Sequence, residues 1–209
     1  MPERTVEDLL RAEYFRFLPE VRKVAWQVET EIRYRTLSIL RDLSDYEQLV
    51  VRVRVKECES AIKSLQRRQE GSIFDPDHPA DYSLLSLPDL AAIRVLVFPR
   101  ARLLACDEIL RRSFPKWAPD PILDDRGTTL AYKYTGFCPE VSDMVRAEYQ
   151  VVPLLIGLFW EVEHSTMYKP HPSLKGVGGD SDMRRLRNEV EKALSRFEAG
   201  FEGFVQNRE

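Results

Sequence analysis

The sequence predicts an α+β domain, a mixed β-sheet flanked by helices near both ends of the chain. Three observations carry this. Apolar residues recur every three or four positions near both ends. Between them, VRVRV and RAEYQVV alternate with period two, and AIRVLVF is a short apolar run of strand length. The resulting order is helix, strand, helix, strand, helix, hairpin, helix, helix, which suits strands covered by helices rather than a bundle or a sandwich.

The first helix is read from Leu18, with Val21, Ala25, Val28, Ile32 and Ile39 on one stripe and Pro19 in its first turn; it ends around 42–45. A strand covers 47–55. A helix over 58–68 buries Ile62 and Leu65. The stretch QEGSIFDPDHPADYSLLSLPD carries three prolines and a glycine, so 69–87 reads as a long exposed loop, a length that is often functional. The apolar run at 92–98 reads as a central strand and 102–112 as a helix. RGTTLAYKYTGF and DMVRAEYQVV form a hairpin around CPEVSD. A helix at 154–168 turns Leu155, Leu158, Phe159 and Val162 inward. KPHPSLKGVGGD is a breaker-rich linker. The last helix carries Met183, Leu186, Val190, Ala193, Phe197, Phe201 and Phe204 on its stripe, capped by Asp180 or Ser181.

The chain has 209 residues, enough for one domain with a proper core. Its 44% hydrophobic and 31% charged residues mark a globular chain rather than a disordered or membrane one. A net charge of −3 argues against broad electrostatic binding to DNA but leaves room for a local basic pocket. The three cysteines (Cys58, Cys106, Cys138) lack metal-ligand spacing, and their odd number suits a reducing compartment. No apolar run approaches the ~20 residues of a membrane span, and MPERTVEDLL has no apolar signal core, so a cytoplasmic location without membrane contact is expected.

The chemistry lies on strand faces. Alternation puts Glu148 and Gln150 on one side of their strand and Val145, Ala147, Tyr149 and Val151 on the other. It likewise turns Arg52, Arg54 and Lys56 away from Val51, Val53 and Val55. Arg54 and Lys56, with Ser60 in the first turn of the next helix, suit phosphate oxygens; the plain alternative is a solvated edge strand. Asp89 precedes the central strand, where a turn residue is the simple reading. Glu148 sits mid-strand, where carboxylates are depleted. If the two carboxylates converge they would hold Mg²⁺, and Glu148 could take a proton from a hydroxyl. Glu163 flanks the apolar stripe of its helix and needs a partner, an arginine on the adjacent sheet being the simple answer. His164 lies opposite that stripe. No P-loop, Ser-His-Asp order or zinc ligand set is present.

These segments resemble the synthetase domain of the RelA/SpoT family, in length a stand-alone small alarmone synthetase. VRVRVKECES is similar to the family's "xRVKxxES", matching Arg54, Lys56, Glu59 and Ser60. PDLAAIRVLV is similar to "DxxGxRI" through Asp89 and Arg94, RAEYQVV to "xEIQIRT" through Glu148 and Gln150, and GLFWEVEHSTMYK to "WAxxEHxxxYK" through Glu163, His164, Tyr168 and Lys169. The resemblance covers 51–169 and implies one synthetase domain over 1–209, with a helical region at 1–46, a catalytic core at 47–170 and a helix at 180–206.

It further implies transfer of the β,γ-pyrophosphate of ATP to the 3′-hydroxyl of GDP or GTP, giving (p)ppGpp. Arg54, Lys56, Ser60 and Arg94 would bind ATP. Asp89 and Glu148 would hold Mg²⁺, and Glu148, Gln150 and Asp89 would form the catalytic group with Glu148 as base. Independently of the resemblance, the segment 69–87 is expected to close over ATP. The acceptor side departs from the family. The "GYxSxH" strand is absent, so Tyr132 or Tyr134 is the expected stacking residue beside Glu163 and His164. "IRT" is replaced by Val151, Val152 and Pro153, Ala92 replaces a glycine, and Gly157 replaces a polar residue that faces the acceptor base. Alternatives are transfer to the 3′ end of tRNA, using basic stretches at 63–68 or Arg184, Arg185 and Arg187, or a nucleotide-binding module without activity. The apolar stripes of the flanking helices are expected to bury within the monomer, with a homo-oligomer as the alternative.

Overall fold

The computed structural model describes residues 5–68, 83–123, 127–168, 172–174 and 176–206. The first helix, α1 (Val6–Arg35), starts twelve residues before the expected Leu18. Its start is a capping box: the Asp8 amide donates to Thr5 Oγ1 at 3.2 Å, and the Thr5 amide donates to Asp8 Oδ2 at 3.3 Å. Pro19 lies inside the helix, not in its first turn. The buried stripe runs Val6, Leu10, Val21, Val24, Ala25, Val28 and Ile32. At Thr36 the hydroxyl donates to the Ile32 carbonyl, and the chain turns into the short α2 (Leu37–Arg41).

The strands are β1 (Gln48–Val55), β2 (Ala91–Phe98), β3 (Ala118–Pro119), β4 (Ile122–Leu123), β5 (Thr129–Cys138) and β6 (Ser142–Pro153). Their order is β1-β2-β6-β5-β3, with β4 pairing β5. Among the described residues only β2 and β6 run parallel, so the sheet is mixed as expected. The two-residue strands β3 and β4 carry too little pattern to be read from sequence.

Helices α1, α3 (Cys58–Arg68) and α4 (Arg102–Ser113) supply the larger core with Ile93, Val95, Val145, Ala147, Tyr149 and Val151. β1 lies at the sheet edge, which leaves Val53 37% exposed rather than in the core. The opposite face has a smaller core of Leu96, Leu130, Ala131, Val152 and Ile156, packed by Leu158 of α5 (Leu154–Glu163) and Leu194 of α6 (Ser181–Gln206). Gly157 lets α5 settle on the sheet: a Cβ there would lie 2.3 Å from Cδ2 of Leu96. It is therefore a close-packing residue, not one that faces a ligand. Ile156 and Gly157 are the buried residues of α5, while Val162, expected inward, is exposed. The helix does not continue unchanged to 168; His164–Tyr168 forms a wider π-helical turn.

Two expectations about exposure are corrected. Most of the expected loop, 69–82, lies outside the described residues, but its end is anchored. The Ser83 hydroxyl and the Leu84 amide donate to the Glu13 carboxylate at 2.6 and 2.9 Å, with Leu84 and Leu87 buried. In α6, Asp180 caps the start by accepting from the Met183 amide. Its apolar stripe, however, is not buried: Met183, Leu186, Val190, Phe197 and Phe204 are exposed. The docked side instead carries Arg187, Glu191, Leu194, Glu198 and Phe201, about one residue step (~100°) round the helix. No helix among the described residues is long and apolar enough to cross a membrane.

Candidate active site

The sheet face beneath α5 gathers the charged residues. Register fixes who shares it, because directly paired residues project to one side. Arg52 of β1 pairs with Arg94 of β2, and Arg54 with Ala92. Arg94 pairs with Gln150 of β6, and Ala92 with Glu148. Across the next pair, Gln150 opposes Lys133 of β5 and Glu148 opposes Thr135. One face thus reads, from the β1 edge inward, arginines, then a carboxylate and an amide, then a lysine and a threonine. Ala92 lies between Arg54 and Glu148 and leaves room above the sheet.

Two side chains converge from the strand ends. Lys56 follows β1, and Asp89 lies in the turn before β2. The Lys56 ammonium is buried, pairs with Asp89 Oδ2 and donates to Ser64 Oγ at 3.3 Å. Asp89 Oδ1 is also buried but has no hydrogen-bond partner among the described residues. Burial pushes the Glu148 carboxyl above the usual range, and the charge of Asp89 pushes the same way; Gln150, Lys133 and Lys56 pull it down. The Asp89 charge thus acts on the Glu148 carboxyl from the turn at the end of the sheet.

Gln150 links the row. It accepts from Arg94 Nε at 3.1 Å and donates to Glu148 Oε1 at 2.7 Å. An amide so held has its oxygen and nitrogen assigned by its neighbours and fixes the carboxylate's direction. Arg94 is half-buried, and burial lowers its pKa; Glu161 and Glu148 offset that only in part. Arg52 pairs with Glu161 at 2.8 Å. Lys133 pairs with Asp120.

The remaining expected site residues divide. Arg54 is exposed on the same face. Ser60 is buried at 7% exposure in the first turn of α3. Glu163 is half-buried and does find an arginine, but on α6: Arg187 Nε lies 2.7 Å from Glu163 Oε1. His164 begins the π-helical turn beside it.

Tyr132 and Tyr134 are the clear corrections. Their partners on β6 are Val151 and Tyr149, so both face the helical core, away from Glu148. Tyr134 is 5% exposed and stacks on Tyr149 with ring centroids 4.9 Å apart, its hydroxyl near Asp107. The residues that share the site face are Lys133 and Thr135, which the sequence reading passed over. The Tyr-Lys-Tyr alternation did hold the signal, but the register shift at Phe137/Cys138 hides its phase.

Among the described residues no three His, Cys, Asp or Glu side chains converge as a ready metal cage. Asp89 still has the chemistry to ligate a hard divalent ion, with Glu148 as the second candidate oxygen donor. Such ions take oxygen ligands, Mg²⁺ binds through one or two carboxylates plus substrate oxygens, and Asp89 presents a buried oxygen with no other partner.

No family model matches the sequence, and no curated protein matches it. Solved structures do. Small alarmone synthetase 1 from Bacillus subtilis bound to its product pppGpp superposes with a TM-score of 0.63 at 18% identity, covering 94% of this chain and 98% of that one. The fold is that of a small alarmone synthetase. The same enzyme bound to AMPCPP gives 0.62 at 20% identity, covering 94% and 99%. Small alarmone synthetase 2 from Bacillus subtilis gives 0.62 at 12%, covering 91% and 98%. At these identities the agreement lies in backbone and topology.

Proposed function

We propose that the protein is an ATP-dependent pyrophosphokinase that transfers the β,γ-diphosphate of ATP to the 3′-hydroxyl of a guanosine nucleotide, GDP or GTP. The observation that carries this is the single sheet face that sets Glu148 beside Arg52, Arg54 and Arg94, with the charge of Asp89 acting on its carboxyl from the turn before β2. The fold shared with synthetases bound to AMPCPP and to pppGpp supports the same reading.

Arg54 and Arg94 would bind the donor phosphates, since guanidinium forks match phosphate oxygens. Asp89 and Glu148 would hold Mg²⁺, which when bound supplies charge neutralisation at the transferring group. Glu148 would accept the proton of the attacking 3′-hydroxyl as that oxygen bonds to the β-phosphorus and AMP departs. A carboxyl pushed upward by burial is a stronger base than an exposed one, which suits this role. Gln150 would aim it. The protein's contribution is positioning and electrostatics. Lys56 is committed to Asp89, so it acts on the donor by setting that carboxylate rather than by direct reach.

The acceptor side supports a second reading. With Tyr132 and Tyr134 turned to the core, β5 offers Lys133 and Thr135 to an acceptor, groups suited to phosphate or ribose rather than to stacking on a base. That favours an acceptor held by its backbone, including the 3′ end of tRNA. We also propose that the protein self-associates through the exposed stripe of α6.

Incubation with γ-labelled ATP and Mg²⁺, adding GDP, GTP, another nucleotide or tRNA in turn, separates the readings by where label appears. Glu148→Gln is expected to lower transfer by about 10²-fold or more while sparing ATP binding. Surviving activity would remove Glu148 from the chemistry. No transfer to any acceptor would leave a nucleotide-binding module.

A further inference from the structure

The site face contains an anion of its own. Glu161, on α5, reaches down to the arginine row with both carboxylate oxygens. Oε2 lies 2.8 Å from Arg52 Nη1, and Oε1 lies 3.9 Å from Arg94 Nη1. The bridged arginines are direct partners across β1 and β2. We propose that Glu161 competes with an incoming polyphosphate for Arg52 and Arg94, so that the protein sets its own donor affinity through this one side chain.

Three observations support the competition. A carboxylate and a phosphate present the same pair of oxygens to a guanidinium fork, so one arginine face cannot serve both. Arg52, Arg54 and Arg94 stand on adjacent strands, and the repulsion between them is part of what lowers the Arg94 pKa; Glu161 is the largest influence holding it up. Glu161 also comes from α5 rather than from a strand. Its side chain is one-third exposed and can swing aside without disturbing the sheet. The exposed Arg52–Glu161 pair is the weak kind of ion pair, easily outbid by a ligand carrying several charges.

A purely structural role gives the opposite sign. If Glu161 merely holds the two arginines in place, removing its charge loosens them and weakens anion binding. If it competes, removal strengthens binding while leaving three like charges less well neutralised. Glu161→Gln is therefore expected to melt at a lower temperature alone, yet to gain more from added polyphosphate than the parent chain does.

The inference rests on the donor reading for its biological meaning but not for its physics, and two probes keep them apart. Calorimetric titrations of the parent chain and Glu161→Gln use inorganic tripolyphosphate and, separately, a non-hydrolysable ATP analogue. Both are expected to bind the variant about fivefold more tightly, the size of one exposed ion pair. Tighter tripolyphosphate binding with no binding of the analogue to either protein upholds the competition and overturns the donor reading. Equal or weaker tripolyphosphate binding to the variant overturns the competition, whatever the analogue does. Should Glu161→Gln fail to fold, Glu161→Asp, too short to reach both arginines, takes its place with a smaller gain expected; unchanged binding there overturns the competition as well.

Discussion

At the scale of single residues, partners decide roles that residue type leaves open. Tyr134 looks like a stacking residue in the sequence, but its ring stacks on Tyr149 and its hydroxyl lies near Asp107, whose carboxyl burial pushes upward. Tyr134→Phe is accordingly expected to cost about 1 kcal/mol in chemical denaturation, because the buried Asp107 loses a polar neighbour. The acceptor KM should not change, and a raised KM with normal stability would restore the stacking role. Lys133 is the converse case. It pulls the Glu148 carboxyl down, against burial and Asp89. Lys133→Met removes that pull, so Glu148 rises further and stays protonated to higher pH. The acid limb of the rate profile should then move to higher pH, and a limb that stays put would separate Lys133 from the base. The residues legible in the sequence were those whose strand phase was set by their own neighbours: Glu148, Gln150, Arg52 and Arg54. Those set by a partner strand, Tyr132, Tyr134 and Lys133, were not.

At the scale of elements, α6 holds α5, and the hold contains a titrating group. Glu198 is 1% exposed, near the Leu155 amide in the first turn of α5, with no well-formed hydrogen bond on either oxygen. Burial pushes its carboxyl up to about 7; Leu155 and Arg100 pull it down, and Glu202 pushes it up. The sign follows from linkage. A carboxyl raised on folding stabilises the folded chain fully below its unfolded value and loses that contribution as pH rises through the folded one. Thermal melts should therefore weaken as pH rises from about 4.5 to about 7 and level off above that, by at most about 3 kcal/mol from this group. Glu198→Gln should flatten that slope and be the more stable protein at the alkaline end. An unchanged slope would assign the pH dependence elsewhere. Helix boundaries were legible where a short apolar stripe sat between strand and loop signals, as in α3 and α4. The start of α1 was missed because Thr5 and Asp8, which form its cap, lie well before Leu18, where the stripe was first counted.

At the scale of the whole molecule, the two faces of the sheet are finished differently. One carries a deep core under α1, α3 and α4; the other carries a thin core under α5 and α6 and leaves its polar half to the site. The mixed sheet was legible because strands and helices alternate irregularly around one hairpin. Which side of α6 would dock was not, because periodicity marks an apolar face without saying what covers it. Here the docked side bears Arg187, Glu191 and Glu198, and Met183, Leu186, Val190, Phe197 and Phe204 are left exposed. A stripe with steps of three and four along a 26-residue helix suits a like helix from a second copy. Sedimentation of the parent chain should then show a concentration-dependent dimer or larger assembly. Leu186→Glu with Phe197→Glu should give a monomer that keeps the melting behaviour of Glu198, since both substitutions lie off the docked side. A parent chain that stays monomeric at high concentration would show that the stripe serves a different partner, and a double variant that unfolds would show that it covers part of its own chain.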